Sequence, residues 1–347
     1  MKKDIIGYDI KMLEDTLEEL GELRFRGRQV ANWMYKHGVR DFMKMVNISS
    51  TLRAKLDENL IIGKLKLADK QSDETGTEKF LWNLNDGETI ESVLIPDGER
   101  LTLCISSQVG CPLDCQFCAT GQIGFKRNLN SGEIVNQYLQ ADTSEERRIT
   151  NIVFMGMGEP LLNYENLLTA LRIFISDEAI AFGAKKITVS TSGVAPKIKK
   201  LAEEGMKTGL AFSLNAADDK LRDKLMPINR RYNLEDNLKA LKHYAKLSGR
   251  RVTFEYVLIK NVNDSLDDAG KLAKMVHGIP CKINLIRYNP VDGTGFEAPD
   301  DDAVLAFRDY LYPRAPAVTL RESKGSSIAA ACGQLRGEYV KNELGSK

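Results

Sequence analysis

Hydrophobic positions follow two alternating patterns from about residue 100 onwards. Short runs rich in β-branched and aromatic residues predict strands, and the stretches between them carry apolar residues three and four positions apart, as amphipathic helices do. Alternating strands and helices predict a parallel sheet with right-handed crossovers. The predicted strands lie at 101–107, 149–156, 186–192, 209–215, 252–259, 282–289 and 317–322, and helices are predicted, for example, at 131–141, 163–175, 233–247 and 265–277.

This alternation predicts an α/β fold in which residues 96–347 form a full or partial barrel. Several predicted strands end in glycine or polar residues, at 156–159, 190–192, 213–215 and 289. The carboxyl ends of the strands in such a barrel share one face, where the chemistry is concentrated. We therefore expect a single site at the barrel mouth.

Residues 1–95 have a different pattern and are interpreted as an N-terminal accessory region. Apolar spacing predicts helices in 9–20 and 26–38, and residues 79–96 predict two strands around an Asn-Asp-Gly turn. Large apolar side chains such as Trp33 belong more naturally to a core than to a binding surface. The region is expected to be helical with one strand pair.

Composition and charge narrow the class of protein only slightly. The 347 residues are 43% hydrophobic and 28% charged, with a net charge of +1, which is ordinary for a globular protein. Residues 21–60 carry eight basic against four acidic residues, and residues 222–251 carry nine against three. Such segments can follow a phosphate backbone, although charge alone favours solvated helix faces.

The N-terminus lacks the apolar stretch of a signal peptide, and no run of about 18 apolar residues predicts a membrane span. We therefore expect a cytoplasmic protein. In that compartment its six cysteines indicate a metal site or a redox reaction rather than a disulfide framework.

Three of the cysteines, Cys111, Cys115 and Cys118, follow the first predicted barrel strand closely. A closed zinc site needs four ligands. Three thiolates can instead hold a cubane iron–sulfur cluster and leave one iron free for a small molecule. A zinc site completed by a remote residue is the weaker alternative, and its possible fourth ligands are Cys104, Cys281, Cys332 and the three histidines.

The C-x3-C-x2-C spacing, with Phe117 before the last cysteine, resembles the signature of the radical S-adenosylmethionine (SAM) superfamily. The resemblance implies a partial (β/α)6 barrel and a 4Fe–4S cluster whose open iron binds the amino and carboxylate groups of SAM. It also implies that an electron from the cluster breaks a carbon–sulfur bond of SAM. The Gly-Met-Gly-Glu-Pro run at 156–160 resembles the glycine-rich SAM contact of the superfamily, in which small residues let the backbone approach the ligand.

Motifs along nearly the whole chain, from about 20 to 340, resemble the RlmN/Cfr family of radical SAM RNA methyltransferases. They lie at 25–45 (FRGRQVANWMYKHGVRDFMKM), 190–193 (STSG), 225–232 (LMPINRRY), 283–290 (INLIRYNP) and 329–337 (AAACGQLRG). The family methylates an adenosine of the peptidyl-transferase centre in 23S rRNA. The RlmN branch, to which this chain is more similar, modifies carbon 2 and also acts on the adenosine beside the anticodon of some tRNAs. The Cfr branch modifies carbon 8.

Adenine carbon 2 is too electron-poor to attack the methyl group of SAM directly. The resemblance implies a mechanism that avoids this step. Cys332 takes a methyl group from one SAM, and a second SAM yields a radical that removes a hydrogen from that methyl. The resulting methylene radical on Cys332 then adds to adenine carbon 2. Glu91 matches the family position that accepts the proton of this carbon. Cys104 finally attacks Cys332, which forms a transient disulfide and releases the RNA. The SAM contacts carried over are Gly158, Glu159, Ser190, Ser213, Leu214, Asn215 and Asn289.

The same resemblance implies further partners and leaves some alternatives open. A reductase or flavodoxin-type electron donor and a thiol reductant are expected, together with an RNA-contacting role for residues 1–95 and a monomeric state. Asn215 stands where many relatives carry His. The alternatives are carbon-8 methylation, another radical SAM enzyme without a methyl-carrying cysteine, and a zinc-dependent RNA-binding protein.

Overall fold

The computed structural model describes residues 2–141 and 147–337, and the end of the predicted barrel region, 338–347, lies outside them. Its strands are β1 (Lys3–Asp4), β2 (Leu60–Ile61), β3 (Lys66–Ser72), β4 (Glu78–Asn83), β5 (Thr89–Asp97), β6 (Arg100–Cys104), β7 (Gln108–Gly110), β8 (Phe125–Asn128), β9 (Asn151–Phe154), β10 (Ile187–Thr191), β11 (Gly209–Ser213), β12 (Val252–Leu258), β13 (Cys281–Arg287) and β14 (Val318–Arg321).

The helices alternate with the later strands as the sequence predicts. They are α1 (Ile10–Glu19), α2 (Arg26–Ala31), which a π-helical turn (Asn32–Lys36) continues, α3 (Ser50–Asn59), α4 (Ala119–Ile123), α5 (Ser131–Leu139), α6 (Tyr164–Ile175), α7 (Ala195–Glu203), α8 (Asp219–Leu225), α9 (Leu234–Ser248), α10 (Leu266–Val276) and α11 (Asp301–Leu311). The four helices predicted as examples correspond to α5, α6, α9 and α10. None of the described helices combines the length and the apolar character needed to cross a membrane.

Ten strands form one sheet in the order β14-β13-β12-β11-β10-β9-β6-β5-β4-β3. Neighbours from β14 to β6 are parallel, whereas β5, β4 and β3 continue the sheet in antiparallel pairing. The parallel part confirms the predicted α/β barrel architecture, and β14 and β3 are the two edges. Every residue of β12 except Val257 is buried, as expected for a strand covered on both faces.

The strand pair around the Asn-Asp-Gly turn is confirmed, since β4 and β5 pair with Trp82 opposite Ile90. The sequence analysis did not predict β3, which adds a third strand to this unit. Because β5 also pairs with β6, the unit belongs to the barrel sheet. The boundary expected between residues 95 and 96 therefore falls inside β5 rather than in a linker.

The N-terminal helices α1, α2 and α3 pack through fully buried side chains, among them Leu13, Val30 and Leu56. Helices α1 and α2 approach closely at Gly27, where an added Cβ would lie 2.5 Å from the backbone nitrogen of Glu14. The apolar spacing in 9–20 and 26–38 therefore marks the faces of a small helical unit.

Candidate active site at the barrel mouth

The loop that carries Cys111, Cys115 and Cys118, which we call the cysteine loop, lies between β7 and α4. Backbone hydrogen bonds close it into a compact turn. The Cys118 N–H donates to the carbonyl of Cys115 at 3.1 Å, and the Cys111 N–H donates to the carbonyl of Gly124 at 3.0 Å. Cys118 also stands at the N-cap position of α4. As a result, all three side chains line one pocket at the carboxyl ends of the barrel strands.

The electrostatics of this loop suit a positively charged group. Burial raises the pKa of Cys111 to about 12 and also raises the pKa of Cys115 and of Cys118, and the nearby thiolate charges add to the effect. In residues 2–141 and 147–337, no three His, Cys, Asp or Glu side chains are grouped to hold a single metal ion. A cubane cluster binds each thiolate at a different iron and supplies positive charge, so the donor set fits such a cluster.

The glycine-rich run after β9 forms the next part of the pocket wall. Gly158 has φ +97°, and an added Cβ would lie 2.5 Å from Cβ of Gln108, so only glycine fits there. The Glu159 carboxylate accepts hydrogen bonds from the N–H of Leu161 at 3.0 Å and of Ser192 at 2.7 Å. Burial raises the pKa of Glu159 to about 7. Glu159 thus joins the end of β9 to the end of β10.

The other residues that the resemblance assigns to SAM binding do not all line the pocket. Ser190, Ser213 and Asn289 line the pocket, whereas Leu214 is fully buried beside it. Asn215 also lines the pocket and has φ +56°, a left-handed conformation that asparagine tolerates better than most residues. Its Oδ1 accepts from the N–H of Val257 at 2.9 Å, and its Nδ2 donates to the Met226 sulfur at 3.3 Å. The amide of Asn215 therefore ties β11 to β12.

The segment that carries Cys332 folds back over the barrel mouth. The carbonyl of Gly333 accepts from the N–H of Ala119 at 2.7 Å, and the carbonyl of Leu335 accepts from the Thr120 hydroxyl at 2.7 Å. Asn289 Nδ2 donates to the Cys332 carbonyl at 3.3 Å. These contacts place Cys332 in the lining of the same pocket as the cysteine loop.

Cys104 ends β6 as a buried free thiol and does not itself line the pocket. Burial raises the pKa of Cys104 to about 12, and the nearby charge of Cys332 raises it further, while the positive charge of Arg321 lowers it. Cys104 and Cys332 thus lie within electrostatic range of each other although 228 positions separate them in the sequence (332 − 104).

Glu91 lies beneath this C-terminal segment, with only 1% of its surface exposed. Its Oε1 lies 3.1 Å from Nζ of Lys79, and its Oε2 accepts from the N–H groups of Arg336 at 2.8 Å and Gly337 at 3.0 Å. From its strand alone, Glu91 would be interpreted as a carboxylate on a solvent face, and that interpretation is wrong. Glu91 instead holds the turn at 336–337, which we call the C-terminal turn.

Comparisons with known proteins show the family of the chain. A model of the radical SAM superfamily matches residues 105–273, and a model of the ribosomal RNA large subunit methyltransferase N-terminal domain matches residues 3–62. A dual-specificity RNA methyltransferase RlmN from Geotalea uraniireducens is 45% identical over 98% of each chain. A probable RlmN from Thermotoga neapolitana is 46% identical over 96% of this chain and 97% of its own.

The chain belongs to the RlmN family of radical SAM RNA methyltransferases. A solved radical SAM methyltransferase from Sphaerobacter thermophilus has the same fold, with a TM-score of 0.91 and 42% identity over 97% of this chain and 100% of its own. Radical SAM enzymes use a 4Fe–4S cluster and SAM, and the expectation of both for this RlmN-family chain is confirmed at the level of the family.

The sequence analysis of this RlmN-family chain missed Arg222, which it counted within the basic segment 222–251. Arg222 is fully buried and donates to the carbonyls of Ser192 at 2.6 Å, Ser213 at 3.0 Å and Leu214 at 3.0 Å. Arg222 therefore ties together the ends of β10 and β11 and cannot follow a phosphate backbone. Burial lowers the pKa of Arg222 to about 10, while the nearby charge of Cys115 opposes this.

Proposed function

We propose that this chain methylates carbon 2 of an adenosine in the peptidyl-transferase centre of 23S rRNA and of the adenosine beside the anticodon in some tRNAs. Membership of the RlmN family over 98% of the chain supports the reaction class and an RNA substrate. The observation that carries the proposal is that Cys332 lines the same pocket as Cys111, Cys115 and Cys118. If Cys332 carries the methyl group, this shared pocket would put that group next to the proposed cluster.

In this proposal, some of the pocket residues bind the cluster and others bind SAM. Cys111, Cys115 and Cys118 would hold the 4Fe–4S cluster, which when bound supplies the electron that cleaves SAM. Gly158, Ser190, Ser213, Asn215 and Asn289 line the space for SAM, and the carboxylate of Glu159 and the buried Leu214 support this wall. Arg222 positions the wall from behind through the carbonyls at the ends of β10 and β11.

Cys332 carries the methyl group to the adenine, and Cys104 releases the product. After the adduct has lost the proton of carbon 2, the Cys104 thiolate attacks the sulfur of Cys332 and a disulfide forms. The bond from that sulfur to the methylene carbon breaks, and its electron pair stays on the carbon, which takes up a proton to become the methyl group of the product. An external thiol then reduces the disulfide. Burial disfavours the Cys104 thiolate, and the positive charge of Arg321 opposes this effect.

Glu91 is proposed as the group that takes the proton from carbon 2. Both of its oxygens are engaged, by Lys79 and by the backbone of the C-terminal turn. Glu91 can act as a base only after the C-terminal turn leaves it, because a general base must reach within hydrogen-bond distance of its proton. Entry of RNA would therefore displace the C-terminal turn.

The remaining elements of the proposal concern partners and location. The N-terminal helical unit, which a family model matches at 3–62, would contact RNA, and β3–β5 would belong to the catalytic barrel. A reductase or flavodoxin-type protein would supply electrons, and a thiol reductant would reset the cysteines. We propose a cytoplasmic monomer.

Two single variants test the proposal because they should fail in different ways. Cys332→Ala has no methyl carrier and should form no RNA adduct. Cys104→Ala can still attack adenine but cannot release it, so it should accumulate RNA bound covalently through Cys332. The measurement is a denaturing gel of each variant isolated from cells, with and without ribonuclease. A folded, cluster-loaded Cys104→Ala protein without a ribonuclease-sensitive adduct would reject the release role of Cys104.

The two branches of the family are distinguished by the product. Chromatography of the nucleosides from RNA treated with the enzyme should show 2-methyladenosine. Appearance of 8-methyladenosine instead would move the chain to the carbon-8 branch. Another radical SAM activity would leave Cys332 without a methyl group in mass analysis, and a zinc-dependent RNA-binding protein would contain no iron or sulfide.

A further inference from the structure

Glu255, in the middle of β12, places its carboxylate on the wall of the pocket. Its side chain lines the pocket, and the residue is only 6% exposed. Oε1 accepts a hydrogen bond from Nδ2 of Asn284 at 2.9 Å. Oε2 is buried and has no hydrogen-bond partner among the described residues. The catalytic scheme proposed above gives Glu255 no role.

An unpartnered buried carboxylate oxygen is costly, because burial removes its water without providing another donor. Burial raises the pKa of Glu255, and the positive charge of Arg321 is the largest opposing cause. A ligand with a hydrogen-bond donor would satisfy Oε2 when it enters the pocket. The position of Glu255 thus indicates a ligand that brings a donor to the middle of β12.

The neighbours of Glu255 indicate which part of a ligand it faces. Ser213 is its register partner on β11 and also lines the pocket. Val257, two positions further along the same face of β12, and Ile286 add apolar surface to the lining. An apolar surface suits a purine ring, whereas a carboxylate beside a serine hydroxyl suits a sugar with vicinal hydroxyls.

We propose that Glu255 Oε2 binds the ribose hydroxyls of SAM. The inference rests on the proposed function, since it takes SAM as the occupant of the pocket. SAM has three kinds of hydrogen-bond donor: an ammonium group, two ribose hydroxyls and the exocyclic amine of adenine. The superfamily resemblance assigns the ammonium group to the open iron, and the apolar wall formed by Val257 and Ile286 accommodates the base. The ribose hydroxyls remain for Glu255, and acidic side chains bind ribose hydroxyls in the same way in dinucleotide-binding folds.

The test compares Glu255→Gln with the unchanged protein, both loaded with cluster under anaerobic conditions. Glutamine keeps the shape and an oxygen that accepts from Asn284, but it replaces the charged oxygen. The measurement is the dissociation constant, by equilibrium dialysis, for SAM and for its 2′-deoxy and 3′-deoxy analogues. The matched control is Glu297→Gln, because Glu297 is 72% exposed and pairs with Lys260 outside the pocket lining.

We expect Glu255→Gln to weaken SAM binding about tenfold or more, as the loss of a hydrogen bond to a charged group does. At least one deoxy analogue should bind the unchanged protein more weakly than SAM does. For that analogue, Glu255→Gln should lower the affinity little further. Unchanged SAM affinity in the variant would overturn the proposal, and so would an equal loss for SAM and both analogues. If the variant does not fold, full affinity of the unchanged protein for both analogues overturns it.

The same experiment separates this inference from the proposed function. Absence of SAM binding to the unchanged, cluster-loaded protein would reject the proposed function itself. Normal SAM binding and reductive cleavage by Glu255→Gln, with the affinity for every ligand unchanged, would reject the role of Glu255 alone.

Discussion

Charged side chains on the N-terminal helices and beneath the C-terminal turn are paired in contrasting ways. Arg24 Nη2 lies 2.6 Å from Oδ1 of Asp15, and the two side chains are 44% and 45% exposed. Lys79 Nζ lies 3.1 Å from Oε1 of Glu91, and these side chains are 5% and 2% exposed. Exposed pairs contribute about 0–1 kcal/mol, whereas removing one partner of a buried pair costs about 3–5 kcal/mol.

The difference is consistent with the separate roles proposed for the two regions. Arg24 and Arg28 hold carboxylates of α1 at the surface, and Arg26 stacks on the ring of Phe25, so none of the three is buried in the core. RNA phosphates can replace such exposed carboxylates at little cost. Lys79 instead holds the Glu91 carboxylate in place, and this carboxylate accepts the hydrogen bonds of the C-terminal turn. Exchangeable charges suit a substrate surface, and fixed charges suit a catalytic centre.

The largest effect is expected at the half-buried thiols of the cysteine loop. Cys111→Ala removes one of three ligands, so the protein should lose its cluster and all reductive cleavage of SAM. Iron and sulfide analysis after anaerobic purification measures the loss. Cys281→Ala is the matched control, because Cys281 is fully buried in β13, outside the pocket lining. A full complement of iron in Cys111→Ala would show that the loop does not hold the cluster.

The next largest effect is expected at the buried pair. Lys79→Met leaves the Glu91 carboxylate buried with only backbone donors, so the free energy of unfolding should fall by about 3–5 kcal/mol. Urea unfolding measures the change. The double variant Lys79→Met, Glu91→Gln should recover part of the loss, because the uncompensated charge is gone. Equal stability of Lys79→Met and Arg24→Met would remove the contrast between the two regions.

A smaller effect should depend on pH through Glu159. Burial raises the pKa of Glu159 to about 7, above the ordinary 4.5, so the folded chain holds this proton more tightly than the unfolded chain does. Its stabilising contribution is complete below the unfolded pKa of 4.5 and is lost as the pH rises through about 7, a fall of about 3 kcal/mol. Melting temperatures of the iron-free protein across this range measure it. Glu159→Gln should flatten the profile, and an unchanged slope would contradict the assignment.

The smallest effect on stability is expected at the N-terminal arginines. Arg24→Ala together with Arg28→Ala should leave the free energy of unfolding nearly unchanged, because both arginine side chains are largely exposed. The same variant should weaken RNA binding and reduce its dependence on salt, since fewer phosphates are neutralised. Binding curves at several salt concentrations measure this. Unchanged affinity and salt slope would exclude these arginines from the RNA surface.

The parts of the fold that repeat a local pattern were predictable. The barrel strands could be predicted because buried parallel strands are short and largely apolar runs, as in β11 and β12. The strand β3 could not, since its residues Lys66–Ser72 are mostly polar and half-buried or exposed at the edge of the sheet. An edge strand needs no continuous apolar face, so its periodicity carries little information.

The candidate site likewise contains residues that the sequence could predict and residues that it could not. The cysteine loop could be predicted, because its three thiols are close in sequence and their spacing is unusual. Arg222 could not, because DKLRDKL has the composition of a solvated helix and only the contacts with β10 and β11 bury it. The free oxygen of Glu255 is likewise created by the strands around it, and its own strand pattern gives no sign of it.

The hydrogen bonds from the C-terminal turn to Glu91 join residues 245 and 246 positions apart. During synthesis, β4 and β5 are therefore complete long before their docking partner emerges. Contacts this distant along the chain form late, because closing a long loop has an entropic cost that other contacts must first offset. The barrel is therefore expected to assemble first. The thiol of Cys332 would reach its place as one of the last events of folding, on a surface that has already formed.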